Sequence, residues 1–281
     1  MKQFQGKVAV ITGGASGLGR AMAERFAREG MSIVLADVEP GALAKTEAEM
    51  KAAGARVIGV RTDVSKAADV EALAQTALNT YGAVHLIANN AGVAPGGNVW
   101  DNSVADWEWI LGVNLWGVIH GVRVFTPLML AQGSEGHIVN TASVAGLISP
   151  PGSGMYNVTK HAVVTLTETL YHDLKRKKSM LGCSVLCPAY VPTGIVDSER
   201  NRPQQLQNAA REKPPEELAQ DAQLRKAVSS GRQSAADVAQ KVFEAVRDGC
   251  FYILTHPKIK ASIQWRMEDI LTDRNPTDPM G

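Results

Sequence analysis

The sequence predicts an α/β fold of the single-domain, Rossmann-like, doubly wound kind: a seven-stranded parallel sheet flanked by helices. Three observations predict it. Short apolar runs rich in Val and Ile alternate with longer amphipathic stretches, a rhythm that requires right-handed crossovers between parallel strands. The runs lack polar alternation, as strands buried on both faces do. A glycine-rich turn, Thr12-Gly13-Gly14-Ala15-Ser16-Gly17-Leu18-Gly19, joins the first run to the first amphipathic stretch.

Residues 8–11 are apolar and form the first strand. Residues 17–29 are helical in pattern through Leu18, Ala21, Met22 and Phe26, and Gly30 caps the end. Residues 33–36 give the second strand, which stops at Asp37. A helix over 40–53 carries Pro40 in its first turn and Gly54 behind it. The third strand, 57–60, leads to Asp63-Val64. A helix over 67–80 precedes the fourth strand, 84–88, which ends in Asn89-Asn90-Ala91-Gly92. A long helical stretch, 104–131, contains Asn114 and Pro127. The fifth strand is 138–142, and a helix bearing Tyr156 runs to about Lys178. The sixth strand is 184–187, a helix covers 235–247, and 251–254 is the seventh strand.

Residues 197–232 are polar and show little apolar periodicity. They read as a lid, about 194–233, inserted after the sixth strand. Residues 256–281 read as one short helix and a polar tail. With no internal repeat and no second core, residues 1–281 are expected to form one dinucleotide-binding and catalytic domain.

Composition narrows the function classes. Of 281 residues, 45% are hydrophobic and 20% charged, so a large core is available and wholesale disorder is excluded. A net charge of +1 supplies no global field for nucleic acid or an anionic membrane. The one basic run, Lys175-Arg176-Lys177-Lys178, closes a helix, where cations suit the dipole. Three cysteines, Cys183, Cys187 and Cys250, form no framework spacing, so reduced thiols and a cytoplasmic setting are expected. The histidines have no metal-ligand spacing, and no metal is expected. The N-terminus lacks a signal-type apolar region, and no segment is expected to reach membrane-spanning length.

The chemistry gathers at 143–160. Tyr156 and Lys160, four apart, share a helix face. Free tyrosine titrates near ~10 and is a poor acid or base at neutral pH. An ammonium about 4 Å away, at an effective dielectric of ~20, supplies ~4 kcal/mol, or roughly three pK units. That would bring the phenol to about neutral, where proton transfer is most efficient. Ser143 follows the fifth strand, at the sheet edge where ligands collect in open α/β folds. In the glycine turn, Gly13 permits the tight exit, Gly17 lets backbone approach a pyrophosphate, and Gly19 lets the helix pack on the sheet. Asp37, eighteen residues after Gly19, is placed to bind ribose hydroxyls of NAD(H) and to repel the extra phosphate of NADP(H). Ser16 and Val38 offer no compensating charge. Arg20 could offer one, so NADP(H) stays open.

These motifs, with Asn89-to-Gly92 and Asn114 in order and spacing, resemble the short-chain dehydrogenase/reductase family over about residues 6–255. The resemblance implies Tyr156 as general acid/base, with Lys160 lowering its pKa and holding the nicotinamide ribose. Ser143 would steady the substrate oxygen, and Asn114 would help position a water in a proton relay. The cofactor would lie on Gly13, Ser16, Gly17, Leu18 and Gly19, with Asp63 and Val64 at the adenine. Asn89, Asn90, Ala91 and Gly92 would border the adenosine ribose region. After the sixth strand the family carries Pro-Gly, then a Val and a Thr on the nicotinamide amide. Here the segment is Pro188-Ala189-Tyr190-Val191-Pro192-Thr193, so Val191 and Thr193 keep the role on an altered backbone.

The implied reaction is reversible hydride transfer between the nicotinamide and a secondary alcohol or ketone. Leu147, Pro150, Pro151, Met155 and Tyr190, beside Ser143 and Tyr156, are expected to line an apolar pocket for a neutral, hydrophobic, even bulky substrate. Helices apolar beyond one stripe, with Trp107, Leu111, Leu115, Trp116 and Val122, predict burial on several sides, and family members are mostly tetramers or dimers joined there. A homo-oligomer is expected. The alternatives are a non-catalytic NAD(P)-binding regulator on the same fold, or a related enzyme such as an epimerase, a dehydratase or one acting on a steroid-like or hydroxyacyl substrate. The joint presence of Asn114, Ser143, Tyr156 and Lys160 favours the dehydrogenase.

Overall fold

A computed structural model describes residues 1–209 and 214–279; the parts of the expected lid at 210–213 and of the tail at 280–281 lie outside the described residues. All strand pairings are parallel. The strands are β1 (Val8–Thr12), β2 (Ser32–Asp37), β3 (Val57–Arg61), β4 (Leu86–Asn89), β5 (Gly136–Thr141), β6 (Leu181–Cys187) and β7 (Tyr252–Leu254). They lie in the order β3-β2-β1-β4-β5-β6-β7. The chain winds outward from β1 to β3, returns to place β4 on the other side of β1, and continues outward. A crevice opens at such a reversal, at the carboxyl ends of the strands.

Two layers of apolar side chains hold helices to the sheet. On one face, α1 (Gly17–Arg28) buries Gly19, Met22, Ala23 and Phe26, the spacing of a single stripe. It packs on α8 (Ala235–Asp248), where Phe4 and Phe243 meet with ring centroids 4.9 Å apart. Helix α2 (Pro40–Ala52) adds Leu43 and Met50 to this layer. On the other face, α3 (Ala67–Tyr81) contributes Leu73 and α6 (Gly154–Arg176) contributes Leu170.

The stretch 104–131 is helical but not uniform. Helix α4 (Val104–Ile110) starts at a capping box between Ser103 and Asp106. It passes through a π-helical turn, Leu111–Trp116, into α5 (Gly117–Ala131). Contrary to the sequence expectation, Val104–Ala131 is long and apolar enough to cross a membrane by length and composition. Its apolarity has another outlet here: Val118, Phe125 and Met129 are buried in the core beside β4 and β5.

The segment after β6 is more regular than its polarity suggested. It forms 3-10 turns at Gly194–Asn201 and Gln204–Leu206, then α7 (Pro215–Ser229). No apolar stripe announced α7, and Leu218 is exposed. Beyond β7, α9 (Ile259–Leu271) leads into the tail.

Candidate active site

A cavity of about 440 Å³ opens over the carboxyl ends of the central strands, roofed by residues 194–206. Its floor begins at the glycine turn. Gly13 has φ +63°, and a Cβ there would stand 2.9 Å from the Ala91 backbone, so the loops after β1 and β4 touch. Gly19 lies off the cavity wall, behind the turn, where a Cβ would meet the Gly13 carbonyl oxygen at 2.0 Å. Gly19→Ala is therefore expected to destabilise the fold by about 3 kcal/mol and to weaken ADP-ribose binding; unchanged melting and calorimetric affinity would refute this.

Hydrogen bonds fix the end of the cavity nearest β2 and β3. Asp37 accepts from the Ala15 N–H at 3.0 Å and the Glu39 N–H at 3.1 Å, which aims its carboxylate along the cavity wall. Asp63 accepts from Ser65 at 2.7 Å and lines the cavity with Val64. Asn90 donates to the Thr12 carbonyl at 3.0 Å, while the N–H groups of Asn90 and Ala91 donate to the Thr12 hydroxyl. Ser16, Gly17, Leu18, Asn90, Ala91 and Gly92 all line the cavity. Asn89 does not: it is buried, donates to Asn140 at 2.8 Å, and fills the space left by Gly121. Arg20 is engaged by Glu24 and Glu49, so it offers no counter-charge beside Asp37.

The inner end brings Ser143, Tyr156 and Lys160 together on one wall. The Ser143 hydroxyl donates to the Pro188 carbonyl at 3.3 Å and accepts from the Ala145 N–H at 3.2 Å. Lys160 Nζ donates to the Thr141 carbonyl at 2.9 Å and sits 5.5 Å from the centre of the Tyr156 ring. The expected fall of the phenol toward neutrality is absent. Burial pushes Tyr156 up to about 12, against a downward pull from a Ser143 hydrogen bond. Burial likewise lowers Lys160 to about 8. Both side chains are buried, and the cost of desolvating each charged form is the largest influence on its titration.

Asn114 stands behind this wall rather than on it. It is fully buried in the π-helical turn, accepting from the Val93 N–H at 2.8 Å and donating to the Val93 carbonyl at 2.9 Å. A Cβ on Gly92 would lie 3.4 Å from Asn114 Oδ1 and 3.7 Å from Lys160 Nζ, so the three positions converge. π-helical turns inside α-helices occur often at functional sites. The only sequence trace of this one was an Asn at a poor helix position.

After β6, Pro188, Val191 and Thr193 line the cavity with Tyr190. Thr193 reaches across to Gly17, whose Cβ would touch it at 3.3 Å. Three expected pocket residues stand elsewhere. Met155 is buried in a cluster with Val93, Trp109 and Ile110, Leu147 packs beside Val163 and Val164, and Pro151 is exposed. Pro150, expected there, does line the cavity, and beside it stand Ile148, Trp109, Leu206, Leu224 and Ile259. Trp109 and the last two come from segments read only as helix, lid or tail, with no motif to single them out.

The glycine turn leaves a cradle that side chains would fill, and Ser16 makes no side-chain cap at the start of α1, leaving its first N–H groups for an anion. A nucleotide fits. Among the described residues, no group of three or more His, Cys, Asp or Glu side chains could hold a metal ion.

The glycine turn, the acidic end of β2 and a Tyr–Lys pair share one cavity of a doubly wound sheet. The chain belongs to the short-chain dehydrogenase family, whose model matches residues 7–204. It is 36% identical over 98% of its length to a CLA biosynthesis dehydrogenase/reductase of Lactiplantibacillus plantarum, covering 97% of that protein. It is 33% identical to a C alpha-dehydrogenase of Sphingobium, over 100% of this chain and 91% of that one. A crystal structure of a short-chain dehydrogenase/reductase from Burkholderia phymatum in complex with NAD is 59% identical, covers 100% of both chains and superposes with a TM-score of 0.98.

Proposed function

We propose that the protein transfers a hydride between NAD(H) and a neutral, hydrophobic secondary alcohol or ketone, with Tyr156 exchanging the proton. The observation that carries this reading is the convergence of Ser143, Tyr156 and Lys160 on the wall of a cavity whose far end holds Asp37. NAD supplies the hydride acceptor or donor; the chain orients the reactants and manages one proton. Ser143 anchors the substrate oxygen near the phenol, and Lys160 supplies positive charge behind it. Asn114, by gripping Val93 at both backbone groups, fixes the loop against which Gly92 and Lys160 rest. The chain acts as one catalytic domain, with 194–233 as its lid.

The inner cavity supports an apolar substrate. Trp109, Ile148, Pro150, Leu206 and Leu224 line it, and apart from Lys160 its cations lie toward the adenosine end. Relatives named as a dehydrogenase/reductase and a dehydrogenase support the redox reading. Preference for NAD rests on Asp37, on the engagement of Arg20 by two glutamates, and on the relative solved with NAD. NADH is expected to bind about tenfold or more tightly than NADPH; equal affinities in a fluorescence titration would overturn that. A panel of neutral ketones followed at the nicotinamide absorbance tests the substrate class, and far better turnover of a charged 3-hydroxy acid would overturn it. The apolar side chains Trp116 and Val158, exposed near α5 and on α6, support a homo-oligomer through these helices; the buried thiols Cys183 and Cys187, free of disulfides, suit the cytoplasm.

A further inference from the structure

Residues 194–206 are tied down at two points. At the outer end, Arg200 pairs with Glu39 at 2.9 Å, and Asn201 donates to the same carboxylate at 2.8 Å. Both charged side chains are well exposed, 42% and 31%, so water screens this contact. The inner end differs. The Arg202 side chain is 5% exposed, with Nη2 2.7 Å from Asp106 Oδ1 on α4. Its Nε donates to the carbonyl of Leu206 at 2.7 Å, closing the 202–206 turn on itself. The guanidinium lies over the Trp109 ring, 5.1 Å from its centre. Asp106 Oδ1 also accepts from the Asn208 amide at 2.9 Å, while its other oxygen accepts from the Ser103 N–H at 2.8 Å. The planar fork of arginine suits this three-way contact, which a lysine ammonium does not reproduce.

We propose that Arg202 is a positioning residue that sets how large a hydrophobic substrate the site accepts, by clasping the 203–206 turn to α4. The turn carries Leu206 into the cavity, and Leu206 packs with Trp109, Val93 and Met155. Arg202 therefore holds Trp109 and Leu206 as one apolar wall, in the cluster against which the Tyr156 ring packs. The outer Glu39 contact releases first when ligands pass, and the wall stays because its charges are buried and paired. The consequence for substrate choice rests on the hydride-transfer reading; the clasp does not.

The test compares wild type with Arg202→Lys and with Arg202→Met/Asp106→Asn, a pair that leaves no buried charge unpartnered. The ketones are 4-phenyl-2-butanone and 2-butanone, and ADP-ribose affinity is measured by calorimetry. The double variant is expected to raise KM for the phenyl ketone by roughly 10- to 100-fold, with kcat and KM for 2-butanone within about twofold and ADP-ribose affinity unchanged. Arg202→Lys is expected to show part of the same rise and keeps the proposal testable should the double variant misfold. An equal effect on both ketones, or none on either, overturns the proposal. Should wild type reduce neither ketone, the hydride-transfer reading for neutral ketones fails, and hydrogen exchange at the Leu206 and Gln207 amides decides the clasp. Those amides donate within the turn, so faster exchange in the variants supports the clasp and unchanged exchange overturns it.

Discussion

Tyr156→Phe is expected to lower ketone turnover by roughly 10²- to 10⁴-fold, the range for losing a positioned general acid, while ADP-ribose affinity stays nearly unchanged. The variant removes one oxygen and keeps the ring, which packs against the Trp109 cluster. In the proposed reading, ADP-ribose is held mainly by the glycine turn and Asp37, well apart from that oxygen. The loss should fall on kcat rather than KM, because the proton is needed only as the substrate oxygen gains charge. The phenol's high starting pKa, about 12 under burial, strengthens the expectation: in the reducing direction the proton is present on Tyr156 at every ordinary pH. Turnover within a few-fold of wild type, measured at the nicotinamide absorbance, would remove Tyr156 from the proton route.

The legible and illegible parts of this molecule divide along a physical line. Backbone features with a local cause could be read: the glycine turn, because close approach and positive φ leave few alternatives to Gly13, and the strands, because a two-sided sheet demands unbroken apolar runs. Asp37 was legible because a strand end and a fixed offset place it. The pocket wall was legible only in part: Pro150 and Tyr190 line it as read, but Met155 opens α6 facing the core, and Leu147 differs from Ile148 only in which way the bend after β5 turns it. A one-residue shift there exchanges the cavity for the core. The 202–206 clasp was also invisible, because its partners Asp106 and Arg202 are 96 positions apart (202 − 106) and neither sits in a motif. The error at Tyr156 was of another kind: the positions were adjacent as read, but their burial, which reverses the direction of the shift, is a property of the whole fold.

Lys160→Met should make the protein more stable near neutral pH while removing its activity. In the unfolded chain a lysine titrates near 10.5; in the folded one burial brings Lys160 down to about 8. The unfolded state therefore binds more protons between these values. Stability from this group rises with pH across that window and is lowest below pH 8, where a buried ammonium must be carried. The difference, 10.5 − 8, corresponds to roughly 3 kcal/mol, offset by about 1 kcal/mol for the lost bond to the Thr141 carbonyl. A gain of about 5 °C in Tm at pH 6.5 is expected, falling through zero at about pH 10 and turning into a small loss above about pH 11, where the lysine is neutral in both states and only the lost bond remains. Cys183 and Cys187, raised by burial to about 12 from 9.0, stay protonated in the folded chain after the unfolded one has lost those protons. They cost both proteins stability above pH 9, and Cys187 more so in the variant, because Lys160 pulls its thiol down in wild type; the comparison at pH 6.5 is free of this. Activity should fall by roughly 10²-fold or more, because no positive charge then stands behind the phenol. A variant less stable than wild type at pH 6.5 would show that the bond to Thr141, and not the buried charge, dominates at this position, and the lysine would then belong to the scaffold as well as to the chemistry.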